Sequence, residues 1–309
     1  MSGRVVVLLA TYNGAAYLPE QLASYRAQTH ADWTLLWRDD GSTDATEAVM
    51  ADFAARVGAG RCRRLAEPAG RLGVRESFLA LLRAALPSLA PGDAVAFSDQ
   101  DDVWLAEKLA RGMAALAGVP DGMPALACAR QHLVDARGAP VGESPALRRP
   151  PGFPAALTQN IATGCTILLN RAAAALVAAS TPPDTTLHDW WSYLLVSAAG
   201  GRVLVDADPL VLYRQHAANV VGAPPSTLRR ARGALRRGPA AFLRILRGHL
   251  AALAAQPHLL TPAARADVAR LQWALQGPRW RRLAALGMPG LVRQTALETL
   301  TFRLWLLLG

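Results

Sequence analysis

The stretch Ala94–Trp104, AVAFSDQDDVW, runs from four apolar residues straight into three carboxylates, Asp99, Asp101 and Asp102. The apolar part is short enough for a strand buried on both faces. Like charges at this spacing repel and raise one another's proton affinity unless something positive sits among them. The D-x-D spacing along an extended loop lets Asp99 and Asp101 converge on one small site. A divalent cation with oxygen ligands, Mg²⁺ or Mn²⁺, would neutralise them and complete its shell with phosphate oxygens and water. The bland alternative is an aspartate-rich cap before a helix starting at Trp104.

Outward from this stretch, short apolar runs alternate with helical patterns. Residues 4–10, 33–37, 61–66, 94–98, 125–130 and 165–169 read as strands, and 17–28, 43–57, 72–86 and 104–117 as helices. Strand and helix in alternation predict an α/β fold with a mostly parallel sheet and right-handed crossovers. Ligands of such sheets collect beyond the carboxyl ends of the strands, and there the chain keeps its polar clusters: TYNG after the first strand, RDDGSTD after the second, SDQDD after the fourth. In RDDGSTD, Gly41 permits a tight turn and Ser42, Thr43 or Asp44 can cap the next helix. Asp39 and Asp40 are left at the strand tip, where a carboxylate can accept from a ribose hydroxyl or a base imino group. Either acidic cluster alone is a common turn or cap; two on one sheet edge need a common reason.

The charge is divided unevenly. Of a formal +10 over 309 residues, Pro224 to the end holds fourteen Arg against Asp267 and Glu298, and the first 223 residues hold nineteen basic against twenty-one acidic groups. A break is expected in VVGAPPST, at Gly222, Pro224 and Pro225, giving regions 1–223 and 224–309. Cys62, Cys128 and Cys165 are odd in number and lack CxxC spacing, so they are expected to be buried thiols. The start of the chain is too short in apolar residues for a signal peptide, which predicts a cytoplasmic protein.

VVVLLATYNGAAYLPEQLASYRAQTHADWTLLWRDDGSTDAT, FSDQDDVWLAEKL, TGCTILLNR, LHDWW and YRQHAANVVG, in this order, resemble glycosyltransferase family 2, and within it bacterial rhamnosyltransferases of surface polysaccharide synthesis. The resemblance spans about residues 4–222. It implies the GT-A fold, a Rossmann-like sheet flanked by helices, here followed by an α-helical C-terminal region. It further implies that Thr11, Tyr12, Asn13, Asp39, Asp40 and Asp99 hold a nucleotide sugar, that Asp101, Asp99 and His216 hold the metal, and that Asp189 is the catalytic base. Arg71 stands where relatives often have Asn and is assigned to the donor diphosphate.

The chemistry agrees. A bound cation neutralises a leaving diphosphate, and a carboxylate on the opposite face of the sugar can take the acceptor's proton, a single displacement that inverts the anomeric centre. Trp190 and Trp191 can lower local polarity around Asp189 and stack on an acceptor sugar, with His188 as a neighbour that orients the base. The expected function is an inverting, metal-dependent glycosyltransferase, with rhamnose from a deoxythymidine diphosphate donor as first choice and a saccharide or lipid-linked saccharide as acceptor. The alternatives are a non-catalytic sugar-nucleotide-binding protein, or polyanion binding through the basic tail; no nucleic-acid-binding module is recognisable.

In the tail, residues 238–256 place Phe242, Ile245, Leu246, His249 and Leu253 on one helical face and Arg244 and Arg247 on the other. The final apolar stretch is interrupted by Arg293, Glu298 and Arg303, so no spanning helix is expected. Peripheral contact with an anionic membrane on its cytoplasmic face is one reading. The other is packing of these helices on the catalytic region or on a second subunit, as in a homo-oligomer.

Overall fold

The computed structural model describes residues 3–58, 60–216 and 227–309, without side chains for 227–237. Nine strands form one sheet: β1 (Val5–Thr11), β2 (Trp33–Asp39), β3 (Cys62–Arg64), β4 (Ala94–Ser98), β5 (Val103–Trp104), β6 (Ala125–Asp135), β7 (Pro140–Glu143), β8 (Leu168–Asn170) and β9 (Arg202–Gln215). Their order is β3-β2-β1-β4-β8-β6-β9-β5, with β7 beside β6. Neighbouring pairs among β3, β2, β1 and β4 are parallel, whereas β8 runs antiparallel to both β4 and β6.

Among the described residues ten helical segments flank the sheet or follow it: α1 (Leu18–Arg26), α2 (Thr46–Val57), α3 (Val74–Ala85), α4 (Lys108–Ala117), α5 (Arg171–Ala178), α6 (His188–Ala198), α7 (Thr227–Ala254, kinked at Gly238), α8 (Pro262–Gln276), α9 (Arg282–Leu286) and α10 (Ala296–Leu308). The apolar run of β1 is buried over Val5–Leu9 because helices cover both faces, which is why it shows no alternation. Val6, Leu8 and Phe97 belong to one apolar cluster with α3 and α6, while Val7, Leu9 and Ala96 belong to another with α1 and α4.

Two expectations shift. The segment from Trp104 is not yet helical: Val103 and Trp104 pair antiparallel with β9, and the helix begins at Lys108. Residue 165 lies in a 3₁₀ turn, so the strand predicted over 165–169 begins only at Leu168. The edge that matters is built by register. Thr11 lies opposite Asp39 across β1 and β2, and Leu9 lies opposite Ser98 across β1 and β4. Thr11, Asp39 and the loop opening at Asp99 therefore emerge side by side at three adjacent carboxyl ends.

The C-terminal helices share the core. Leu243, Leu246, Leu250, Leu253, Leu271, Phe302 and Leu306 join the same apolar cluster as Leu169, Trp191 and Leu195. Of the face proposed from the sequence in α7, Phe242, Leu246, His249 and Leu253 are buried against the rest of the protein and Ile245 is half-buried. They are not available to a membrane. The break expected at Gly222–Pro225 lies outside the described residues. The three cysteines are buried free thiols, and among the described residues no helix is long and apolar enough to cross a membrane.

Candidate active site

Two of the sequence clusters form a closed hydrogen-bond lattice. The Asp39 carboxylate accepts from the Gly41 amide (3.0 Å), the Ser42 amide (2.7 Å), Ser42 Oγ (2.6 Å) and Thr11 Oγ1 (2.9 Å). Asn13, in the left-handed region at φ 47°, accepts from the Thr43 amide at 2.8 Å. The Gly14 amide donates to Thr46 Oγ1 at 2.8 Å. Gln100, in the acidic loop, clamps Tyr12 through both backbone groups, at 2.9 Å each. Sequence reasoning passed over Gln100, because a glutamine between aspartates carries no signal of a partner 88 residues away.

Asp40 departs from expectation. Its carboxylate points inward, taking Arg38 Nη1 at 2.6 Å and the amides of Leu72 (2.6 Å) and Gly73 (2.9 Å). Burial opposes ionisation, yet these amides and the Arg38 guanidinium hold its carboxyl below the usual range. Asp40 anchors the 70s loop to β2 and leaves Asp39 as the strand-tip acid. That loop brings Arg71 over the Tyr12 ring, its guanidinium 4.1 Å from the centroid. Tyr12 is among the few exposed large apolar side chains, so the pair forms an open wall beside Asp39.

The acidic loop holds its charges under tension. Burial, then the carboxylates of Asp102, Asp101 and Asp189, pushes Asp99 well above the ordinary carboxylate range. Burial and the neighbouring Asp101 push Asp102 up to about 8. Asp102 Oδ1 accepts from the Arg214 amide at 3.1 Å, whereas the buried Oδ2 has no hydrogen-bond partner. Asp99, Asp102 and Cys165 each present a ligand atom, all within 4.8 Å of one another. Asp101 Oδ2 meets His216 Nε2 at 2.7 Å. Tyr17 stacks on the His216 ring at 4.9 Å, and Arg214 lies over Tyr17 at 5.0 Å. Beneath the loop, Ser98 Oγ accepts from Gln21 Nε2 at 2.7 Å and bonds the Tyr25 hydroxyl.

A divalent cation fits this donor set. Asp101 and His216 present oxygen and imidazole donors to one point, Asp99 and Asp102 are carboxylates whose proton affinity is raised by burial and mutual repulsion, and Asp102 Oδ2 is an orphaned acceptor. Asp102 and Cys165 are almost fully buried, whereas Asp101 and His216 keep 17% and 12% of their side-chain surface. The expected metal ligands thus fall into two neighbouring groups, Asp101 with His216 and Asp99 with Asp102 and Cys165.

Asp189 opens α6. Asn160 Nδ2 donates to its Oδ2 at 3.0 Å, and the Trp190 amide to its Oδ1 at 2.6 Å. Burial raises its pKa to about 6 against these opposing hydrogen bonds, the direction that suits a base working near neutrality. Its carboxylate is one of the charges that raise the proton affinity of Asp99. Asn160 was missed in the sequence, where it sits in TQNIATG without a motif of its own.

The residues around Asp189 correct the sequence reading. His188 is buried between Phe78, stacked at 3.9 Å, and Phe97, edge-on at 4.7 Å, and burial lowers its pKa to about 3. Neither ring nitrogen has a hydrogen-bond partner, so it is a neutral core ring and neither binds acceptor nor orients Asp189. Trp191 is fully buried with Nε1 on Ser180 Oγ at 2.7 Å. The helix turns these two inward because α6 packs that face on α3 and α5. Trp190 alone remains half-buried at the site, its Nε1 donating to the Ala156 carbonyl at 2.8 Å. A separate cavity of about 320 Å³, walled by residues such as Gly112, Ala127, Leu168 and Leu204, includes none of these site residues.

A family profile described as "Glycosyl transferase family 2" matches residues 6–137, the span that contains the Asp39 turn and the acidic loop. The N-terminal part of the chain is thus similar to this family. The dTDP-rhamnosyl transferase RfbG of Shigella flexneri is 26% identical over 235 residues, 70% of this chain and 74% of that protein. The Escherichia coli UDP-Glc:alpha-D-GlcNAc-diphosphoundecaprenol beta-1,3-glucosyltransferase WfgD is 31% identical over 107 residues, 34% of this chain and 38% of WfgD. The chain thus spans little more than a third of WfgD, and 31% of an uncharacterised Nostoc glycosyltransferase. Among solved structures, Staphylococcus aureus TarS 1–349 in complex with UDP-GlcNAc superposes with a TM-score of 0.58 at 16% identity, over 93% of this chain and 76% of that one. The mannosyltransferase PcManGT from Pyrobaculum calidifontis, in complex with GDP-Man and Mn²⁺, gives 0.51 at 21% identity, over 99% and 85%. These likenesses show the fold. The sheet region and the helices after it have the GT-A arrangement, α/β with a helical C-terminal region.

Proposed function

We propose that this protein transfers a sugar from a nucleoside diphosphate donor to a hydroxyl acceptor with inversion, in the synthesis of a surface polysaccharide. The observation that carries the reading is the meeting, beyond the carboxyl ends of β1, β2 and β4, of the Thr11–Asp39 lattice with the acidic loop Asp99–Asp102, to which α6 adds Asp189. A purely structural cluster of this kind would be destabilising without a cation.

In this reading the Thr11–Asp39–Ser42 lattice presents Asp39 to the base or ribose, with the Tyr12 ring and the Arg71 guanidinium as the neighbouring wall. Asp101, His216 and Asp99 would hold the cation, with Mn²⁺ and Mg²⁺ both compatible with this donor set. When bound, the cation would neutralise the leaving diphosphate. Asp189, ionised above about pH 6, accepts the proton of the acceptor hydroxyl as that oxygen attacks the anomeric carbon. Asn160 fixes the carboxylate's orientation, and Trp190 offers an apolar surface to an acceptor sugar ring.

RfbG and WfgD give the finer guesses: a deoxythymidine diphosphate rhamnose donor from the first, and a lipid diphosphate acceptor, hence work at a membrane surface, from the second. The composition-based division into regions 1–223 and 224–309 goes with this, the first carrying the donor site and the second helping to present the acceptor. The deciding experiment is calorimetric titration of a panel of nucleoside diphosphate sugars with Mn²⁺ and then with chelator. Metal-dependent binding of one donor, lost in Asp101→Ala, supports the reading. Absence of binding to every donor under both conditions overturns it.

A further inference from the structure

Ten large apolar side chains are exposed among the described residues, and seven of them lie between 273 and 308: Trp273, Trp280, Leu283, Leu297, Leu300, Leu304 and Leu308. The last four belong to α10, spaced by three and four residues, so they form a single stripe about 80° wide. Leu297 keeps 72% of its surface in solvent and Leu308 65%. The opposite face of α10 is firmly seated. Phe302 and Trp305 pack on Phe242 at 5.5 and 5.9 Å, and a capping box between Thr295 and Glu298 fixes the first turn. The leucines are therefore held outward by the fold.

The helices that precede α10 are rich in arginine. Arg270 donates to the Ala284 carbonyl at 3.0 Å, and Arg281 lies over the rings of Trp273 and Trp280 at 4.8 and 5.7 Å. Arg282, itself buried, ties α9 to the carboxyl end of α10 through the Leu306 carbonyl at 3.2 Å and is not part of that surface. From residue 262 to 309 there are seven Arg against two acids, and one of the acids, Glu298, is tied into the cap. Aromatic rings, outward leucines and arginines on abutting helices match the layers of an anionic bilayer surface, with apolar groups entering the acyl boundary and guanidiniums on the headgroups.

The stripe is also wired to the candidate base. The segment entering α10 bonds the loop that carries Asn160: Thr158 Oγ1 donates to the Val292 carbonyl at 2.9 Å, and the Gln294 amide to Gln159 Oε1 at 3.2 Å. Asn160, the next residue, holds Asp189.

We propose that α10, with the Trp273–Leu283 segment beside it, docks the protein onto an anionic lipid bilayer on the side of the site where Asp189 lies. The benefit of such docking rests on the lipid-linked acceptor reading above; the docking itself does not. The test is flotation of the full chain with phosphatidylcholine vesicles, with and without phosphatidylglycerol, at low and high salt. The wild type is expected to float with phosphatidylglycerol vesicles at low salt, and Leu300→Glu/Leu304→Glu to bind at least about tenfold more weakly with unchanged thermal melting and donor binding. Equal binding by the double variant, or no vesicle binding by the wild type, overturns the proposal. A wild-type dimer in light scattering that the double variant dissociates, without vesicle binding, would assign the stripe to a second copy instead. Vesicle binding retained in Asp189→Asn while transfer is lost would show the surface and the reaction to be separate properties; binding by a wild type that binds no donor sinks the transferase reading and leaves the surface standing.

Discussion

Asp189 and Asp40 show how differently two aspartates behave on one sheet edge. Asp189 has its proton affinity raised by burial, to a pKa of about 6. If it is the base, kcat/KM should rise with pH through about 6 and level off above it, and Asp189→Asn should lower transfer by at least about a thousandfold with donor affinity retained. Because the folded state binds this proton more tightly than the unfolded chain, ionisation above pH 4 works against folding. The penalty grows to about 3 kcal/mol by pH 7. The same Asp189→Asn protein should therefore melt at a higher temperature than the wild type at pH 8 and at nearly the same temperature at pH 4. Asp40 behaves oppositely. Removing it in Asp40→Ala leaves the buried Arg38 guanidinium without its carboxylate, though still bonded to Ser77 and to the Pro68 and Gly70 carbonyls, and urea denaturation should report a loss of about 3–5 kcal/mol. An Asp40→Ala protein of wild-type stability that merely binds donor weakly would restore the sequence-based assignment of Asp40 to the nucleotide.

At the scale of elements, the site depends on loops holding one another. Gly14 shows the tolerance: a Cβ there would lie 2.2 Å from Gln100 Oε1, the atom that accepts from the Tyr12 amide. Gly14→Ala should displace the Gln100 clamp, loosen the acidic loop relative to TYNG, and weaken donor binding about tenfold or more while leaving the sheet intact by circular dichroism. Equal donor affinity in that variant would mean the clamp does not position the loop. The sequence suggested Asp39 correctly as a strand-tip acid because Gly41 and Ser42 follow it immediately. Gln100 and Asn160 were illegible, since each acts on a residue far along the chain.

At the scale of the molecule, the clustered carboxylates and the shared core make separate predictions. Binding of Mn²⁺ should relieve the repulsion among Asp99, Asp101 and Asp102, so saturating metal should raise Tm by several degrees at pH 8, and chelator or Asp101→Ala should abolish the gain. An unchanged Tm across this comparison would argue that the cluster is held by protons alone. The catalytic region and the C-terminal helices bury one continuous set of apolar side chains. Phe242→Ala, at the seam with α10, should accordingly lower a single cooperative transition by about 3–5 kcal/mol rather than split it in two.

Local order in the chain was enough to determine the alternation of strand and helix, the position of the acidic turns after particular strands, and the family likeness of the N-terminal part, because these rest on periodicity, turn chemistry and contiguous motifs. Only the tertiary structure decided which charges meet and which faces are left in solvent. Asp40 turned inward because Arg38 sits two residues before it and the 70s loop supplies amides from a distance. His188 and Trp191 became core because α6 packs on α3 and α5, and a motif cannot say which side of a helix its neighbours cover. The amphipathic face of α7 proved to be buried, and the exposed apolar stripe emerged on α10 instead. Periodicity marks a face as apolar; what covers that face is decided by the packing of the whole molecule.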